Sequence, residues 1–176
     1  MRKAFTLIEM MISVVILSLI MLFLYESYAA LNRSNAVYEN KAEIIKDKVL
    51  RKRVMFLDFS LAQFQSVKIL NQEKNEDVVF MQSSNSLHRR IHPYIAYVVK
   101  EKKLYRLESL KAFLEYPLDS DSDFVVDYLG KVDGFRVYKT TKKEEGISSE
   151  NYLIHVDFAQ DDEILLKVKA LNTQNN

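Results

Sequence analysis

No glycine or proline occurs before Pro93, and the first glycine is Gly130. These two residue types are the strongest local breakers of a helix. Ninety-two consecutive residues are therefore free to continue a single helix. Within that stretch, residues 10–25 carry no charge and residues 5–25 carry only Glu9. At about 1.5 Å per residue, such a run spans roughly 30 Å, the thickness of a bilayer's hydrocarbon core.

Beyond Tyr28 the apolar positions space out. Tyr38, Ala42, Ile45 and Val49 recur at intervals of four, three and four, the period of one helix face. Phe56, Phe59 and Gln63 extend that seam, and Val54, Leu57, Leu61 and Phe64 add a second line beside it. A stripe that widens toward its C-terminal end suits a helix that leaves lipid, runs half exposed and then packs on a sheet. One helix from Phe5 to about Phe64 would extend on the order of 90 Å.

From about residue 66 the period becomes two. Strands are expected at 66–70, 78–82, 95–100, 103–109, 135–140, 152–158 and 164–170. Glu101-Lys102 is expected to turn one pair into a hairpin. In Tyr152–Phe158 the odd positions Leu153, His155 and Asp157 alternate with apolar neighbours, as in a half-buried antiparallel strand. The expected fold class is α+β. A long N-terminal helix, transmembrane in its first half and amphipathic in its second, packs on an antiparallel β-sheet. The segments are 1–4, 5–30, 31–64 and a β-rich head at 65–176.

Composition sets outer bounds. Of 176 residues, 48% are hydrophobic and 28% charged, which argues for one ordered domain after the helix. There is no cysteine, so a disulfide framework and cysteine–zinc sites are excluded. A net charge of +1 argues against a nucleic-acid partner. Residues 33–53 hold seven basic and three acidic side chains, whereas the remainder to the C-terminus holds 16 basic and 19 acidic. The first group reads as a solvated helix face, or as a contact for acidic neighbours or phospholipid headgroups.

Glu9 separates three readings of the apolar segment. A secretory signal would start at Arg2 and Lys3 and end near Ser27-Tyr28-Ala29, and it leaves Glu9 without a role. A plain membrane anchor leaves it equally unexplained, and basic residues on both flanks give no orientation. In the third, the chain is cut after Ala4, and the new amine of Phe5 sits at the membrane edge. A carboxylate inside a membrane costs about 2.5–3.5 kcal/mol and seeks a partner. The Phe5 amine of an axially displaced neighbour supplies one, and the pair then selects a register.

The residues that fit this third reading, "KAFTLIEMMISVVILSLI", resemble the N-terminal signature of type IV pilins and of the pseudopilins of type II secretion. The resemblance covers about the first 25 residues. It implies removal of residues 1–4 by a prepilin peptidase, N-methylation of Phe5, and a salt bridge from Glu9 to a neighbouring subunit's amine. Ala4 stands where the family usually has glycine. Ser18 and Glu26 replace a glycine and a proline common in major pilins, and no cysteine pair lies near the C-terminus. These departures imply a minor pilin or pseudopilin. The segments "IAYVVKEKKLYRLES" and "VDGFRVY" are similar to strands of J-type minor pseudopilins. Implied partners are other pilin or pseudopilin subunits, the peptidase and inner-membrane lipid. The implied place is a single pass through the inner membrane with the head in the periplasm, then a pilus or pseudopilus.

Little else points to chemistry. Asp119, Asp121 and Asp123 alternate like the start of a calcium loop, but Phe124 takes the glycine position and Gly130 the glutamate position. His88 and His92 lie four apart, yet Pro93 disfavours helix at His92. No nucleophile elbow, phosphate loop or paired histidine–carboxylate motif appears. The expectation is a subunit without enzymatic activity or cofactor. The alternative is a membrane-anchored or secreted periplasmic binding protein or enzyme.

Overall fold

A computed structural model describes residues 6–72, 75–118, 123–144, 147–159, 162–172 and 174–175. The chain divides into two compact units, Met1–Lys48 and Val49–Asn176.

Helix α1 runs Leu7–Ser60 without interruption, as the absence of breakers predicts. In the first unit it is bare: the large apolar side chains from Leu7 to Tyr25 are 50–80% exposed. Inside the apolar run, the Ser13 and Ser18 hydroxyls donate to the carbonyls of Glu9 and Val14, each four residues back. Both polar side chains are thus satisfied without water, which lipid requires.

The helix stops at Ser60, earlier than the expected Phe64. Tertiary pairing wins over the continuing apolar pattern: Ala62 bridges Ser83, and the Gln63 amide donates to the Gln82 carbonyl at 2.8 Å. The Ser60 carbonyl accepts from the Leu171 amide at 2.8 Å, which satisfies one of the last-turn carbonyls. The buried stripe also differs from the expected seam. Met55, Asp58, Phe59 and Ser60 are buried, whereas Phe56 is 45% exposed.

The strands are β1 Lys68–Leu70, β2 Val78–Gln82, β3 Tyr94–Lys100, β4 Lys103–Ser109, β5 Phe124–Glu144, β6 Ile147–Phe158, β7 Asp162–Lys169 and β8 Gln174–Asn175. The order β1-β2-β3-β4-β5-β6-β7 follows the sequence, every neighbour antiparallel, and β8 pairs with β6. Glu101 and Lys102 both take positive φ, 52° and 56°, so the β3–β4 hairpin closes through a primed two-residue turn. β5 serves two partners: residues 124–131 pair with β4, and residues 132–144 with β6. The sheet curls, so that the segment before β2 returns to the middle of β5, where the Asp77 amide donates to the Phe135 carbonyl at 2.9 Å.

Phe59 occupies the core inside the curl. Its ring lies 6.0 Å from Tyr97 and 5.3 Å from Tyr152, and Tyr97 lies 5.9 Å from Phe135. Met55 and Ala62 join it against inward residues of β2 to β7. The opposite face of β2–β4 holds a second cluster, Val78, Phe80, Ala96, Val98 and Leu107, with Phe113, Leu118 and Phe124 packed against it. β2 and β3 are therefore apolar on both faces. In β6, Tyr152, Ile154, Val156 and Phe158 are buried while Leu153 and Asp157 are exposed, the alternation expected.

Candidate functional site

The helix start is built from Thr6 and Glu9. The Thr6 amide donates to Glu9 Oε2 at 2.8 Å, and its hydroxyl donates to the same oxygen at 2.9 Å. The Glu9 amide donates back to Thr6 Oγ1 at 3.4 Å. This is a reciprocal capping box, in which two otherwise unpaired helix-start amides find acceptors. Its signature, Thr6-Leu7-Ile8-Glu9, is legible in the sequence as Thr-x-x-Glu. Reading Glu9 only as a lone carboxylate misses this partner within its own chain. Ala4 and Phe5, the expected cleavage and methylation positions, lie outside the described residues.

A second constellation sits in the head. Arg106 on β4 is fully buried. Its Nε donates to Asp58 Oδ2 at 2.7 Å and its Nη2 to Asp58 Oδ1 at 3.2 Å, a bidentate pair with the last helical turns. Its Nη1 reaches Glu108 Oε2 at 2.8 Å and Asp127 Oδ2 at 3.2 Å. The Tyr97 hydroxyl donates to Asp58 Oδ2 at 2.6 Å, and Asn85 Nδ2 to Asp58 Oδ1 at 2.7 Å. Ser86 and the Leu87 amide donate to Glu108, and His88 Nε2 lies 3.0 Å from Asp127 Oδ1. One guanidinium thus ties the helix end, two strands and the loop after Ser83.

The electrostatics match a fixed tie. Burial works against the charged Arg106, but the bonds and charge of Asp58 outweigh it and push its pKa up. Burial alone would raise Glu108; the Ser86 hydroxyl, Arg106 and the Leu87 amide prevail and hold it below 4.5. Burial, then the Asp58 charge, raises the Tyr97 phenol well above 10.0. With Arg106, Asp58 and Tyr97 sealed from solvent, the centre of the cluster holds elements together. Of its members only His88 is singled out by the sequence, and there beside His92 as a metal ligand rather than as a partner of Asp127.

Two smaller ties repeat the pattern. Buried Glu150 accepts from Lys139 Nζ at 2.6 Å and from the Tyr152 hydroxyl. Buried Asp77 accepts from Arg136 Nη1 at 2.8 Å and from the Val137 amide at 3.0 Å, beside the sheet's return contact.

The metal candidates come out differently. Asp119 and Asp121 lie outside the described residues. The Asp123 carbonyl accepts the Ser109 hydroxyl at 2.9 Å. His88 turns to Asp127, while His92 pairs through Nδ1 with Ser84 at 3.2 Å. Among the described residues no group of three or more metal-ligating side chains is assembled.

Residues 1–25 match the prokaryotic N-terminal methylation motif. The motif supports a place in the type IV pilin and pseudopilin family, and it points to a prepilin-peptidase substrate and a structural subunit. The apolar helix that begins within the motif, at Leu7, fits an inner-membrane anchor. Comparison with curated proteins and with solved structures gave no match.

Proposed function

We propose that this chain is a minor pilin or pseudopilin subunit. Prepilin peptidase cuts between Ala4 and Phe5 and the Phe5 amine is methylated. The subunit then enters a pilus or secretion pseudopilus through its N-terminal helix, and its head takes a periplasmic or exposed position. The observation that carries this reading is the methylation motif at residues 1–25, together with a helix whose apolar side chains from Leu7 to Tyr25 are uncovered. In water such exposure costs about 25 cal/mol for each Å² of apolar surface, so lipid and then neighbouring helices must cover it.

Glu9 has two stations in this mechanism. In the isolated chain its carboxylate caps the helix through Thr6. In the assembly it meets the Phe5 amine of a neighbour, a charge pair whose worth rises where water is absent. Mass spectrometry of the purified protein tests the proposal. A mature chain that begins at methylated Phe5 is expected. Functional material that retains Met1–Ala4 would overturn it, as would normal fibre incorporation of Glu9→Ala.

A further inference from the structure

The face of β3–β5 that looks away from the helix carries an apolar groove of about 610 Å³, the size of a small-molecule site. Val98, Tyr105, Leu107 and Val126 line it from the strands, and the segment 116–118 lines its side. Val98 and Leu107 are buried, whereas Val126 and Tyr128 are 50% and 56% exposed. The open bed is therefore little wider than one strand spacing, about 5 Å. The Tyr105 and Tyr128 rings lie 5.7 Å apart at one end of it. From Tyr105 to Ser109, which pairs with Phe124 at the other end, β4 rises about 13 Å. Beyond the two tyrosines comes a row of cations. Lys100 lies opposite Lys103, and Lys103 opposite Lys131, so three lysines stand in line across three strands on the groove's face. Like charges directly opposed on a sheet destabilise it. Among the described residues no carboxylate forms an ion pair with any of the three; Asp133 pairs with Lys102 instead, at 3.5 Å.

We propose that this groove binds a long-chain fatty acid, with its carboxylate on the lysine row and its chain along the bed. The site lies wholly in the head and does not depend on the assembly reading above. Glu101 lines the same end of the groove and offsets one of the three charges, which leaves an excess for one anion. A carboxylate there relieves the repulsion within the row. Each methylene laid on the bed leaves water for an apolar surface, which adds to affinity.

The dimensions disfavour the rival occupants. A bed about one strand spacing wide takes one chain and not the two of a phospholipid. An aromatic acid covers the tyrosine end and leaves the rest of the bed wet. An acidic peptide brings backbone N–H and C=O groups, which the apolar bed would leave without partners.

The test labels the full chain in phosphatidylcholine nanodiscs with a diazirine-bearing palmitate and maps the labelled positions by mass spectrometry. Labelling of the apolar helix at residues 7–25 serves as the internal reference. Labelling at Tyr105, Tyr116 and Val126 is expected, and excess oleate should remove it. Oleyl alcohol, which has the chain without the charge, should compete at least tenfold less well. Lys100→Gln with Lys103→Gln should lower the labelling at least tenfold; neither side chain is in the core and the change removes a repulsion, so the fold is kept. Val126→Asp, on the exposed bed, should do the same with the lysines intact. Equal competition by oleyl alcohol, labelling that survives both variants, or an unlabelled groove would overturn the proposal. So would displacement of the probe by phosphatidylglycerol, or by an acidic leucine–glutamate peptide, at lower concentration than by oleate; the groove would then belong to a two-chain lipid or to a protein segment.

Discussion

Glu9 caps its own helix through Thr6 and, on the proposed reading, meets a neighbour's amine; two substitutions separate the roles. Glu9→Gln keeps an acceptor for the Thr6 amide but removes the charge; Thr6→Ala removes the reciprocal hydroxyl but keeps the charge. Loss of the cap costs the helix start about 1 kcal/mol, small beside a long helix held in lipid. Thr6→Ala is therefore expected in the sheared-fibre fraction at near-normal amount, and Glu9→Gln to be absent from it, as read by immunoblot. The reverse ranking would make Glu9 a cap and nothing more. Arg106 poses the opposite case, a cation whose partners all lie within the head. Asp58→Ala leaves that buried charge short of its main counterion and is expected to cost about 3–5 kcal/mol in denaturant unfolding. Adding Arg106→Met should recover only part of the loss: it removes the uncompensated cation but takes the guanidinium away from buried Glu108. Acid and base act on the same cluster. Glu108 sits below its ordinary 4.5 in the fold, so its stabilisation is present above that pH and lost as pH falls through the folded value. The Tyr97 phenol sits above 10.0, so its contribution is whole below that pH and lost as pH rises. The contributions of Glu108 and Tyr97 to the unfolding free energy should be whole between about pH 5 and 10 and fall away on either side. Sequence reading passes over this cluster for a physical reason. Asp58 sits in the middle of a stripe sought by its apolar residues, and its partner Arg106 lies 48 residues away.

Single elements differ in how far their own residues dictate them. β2 and β4 fall at the expected bounds, and β3 differs by one residue, because compact apolar runs end in clear turns. The helix is legible in its length but not in its end, since Leu61 and Phe64 keep the pattern alive while pairing with Ser83 and Gln82 has already ended it. β5 is the large miss: only 135–140 was expected of Phe124–Glu144. Its first half hides behind Gly130 and Gly134, and behind Val126 and Tyr128 alternating with Asp127 and Leu129 on two faces that both bear apolar residues. Gly130 has a reason to be there. Its φ is +144°, and a Cβ would stand 2.8 Å from Arg51 Nη1 and 3.0 Å from the Phe158 ring. Arg51 lies over that ring at 4.6 Å and donates to the Leu129 carbonyl at 3.2 Å. The glycine thus lets the Arg51 side chain approach the strand. Gly130→Ala is expected to destabilise the head by about 1–3 kcal/mol, from strain and displaced packing together. A midpoint shift in urea with an unchanged slope is the measurement; an unshifted midpoint would show that Arg51 and Phe158 yield freely.

On the proposed reading, stability and assembly draw on different residues of the molecule. Met1–Lys48 and Val49–Asn176 are separate compact units, and the buried core belongs to the second. Residues 7–48 contain no buried side chain. An isolated helix gains little from its own hydrogen bonds, so on the proposed reading lipid and neighbouring helices stabilise this part. Changes in one unit should then leave the other's measurements alone, as distant sites without shared partners add independently. Glu9→Gln is expected to keep the head's unfolding free energy in detergent within about 0.5 kcal/mol of the parent. Phe59→Ala empties the centre of the core and should lower it by about 3–5 kcal/mol, while the chain still fractionates with the membrane. A head destabilised by Glu9→Gln would mean that the two units share an energetic contact. The assembly phenotype of that variant would then report on folding, and the case for a charge placed to meet a neighbour would lose its control.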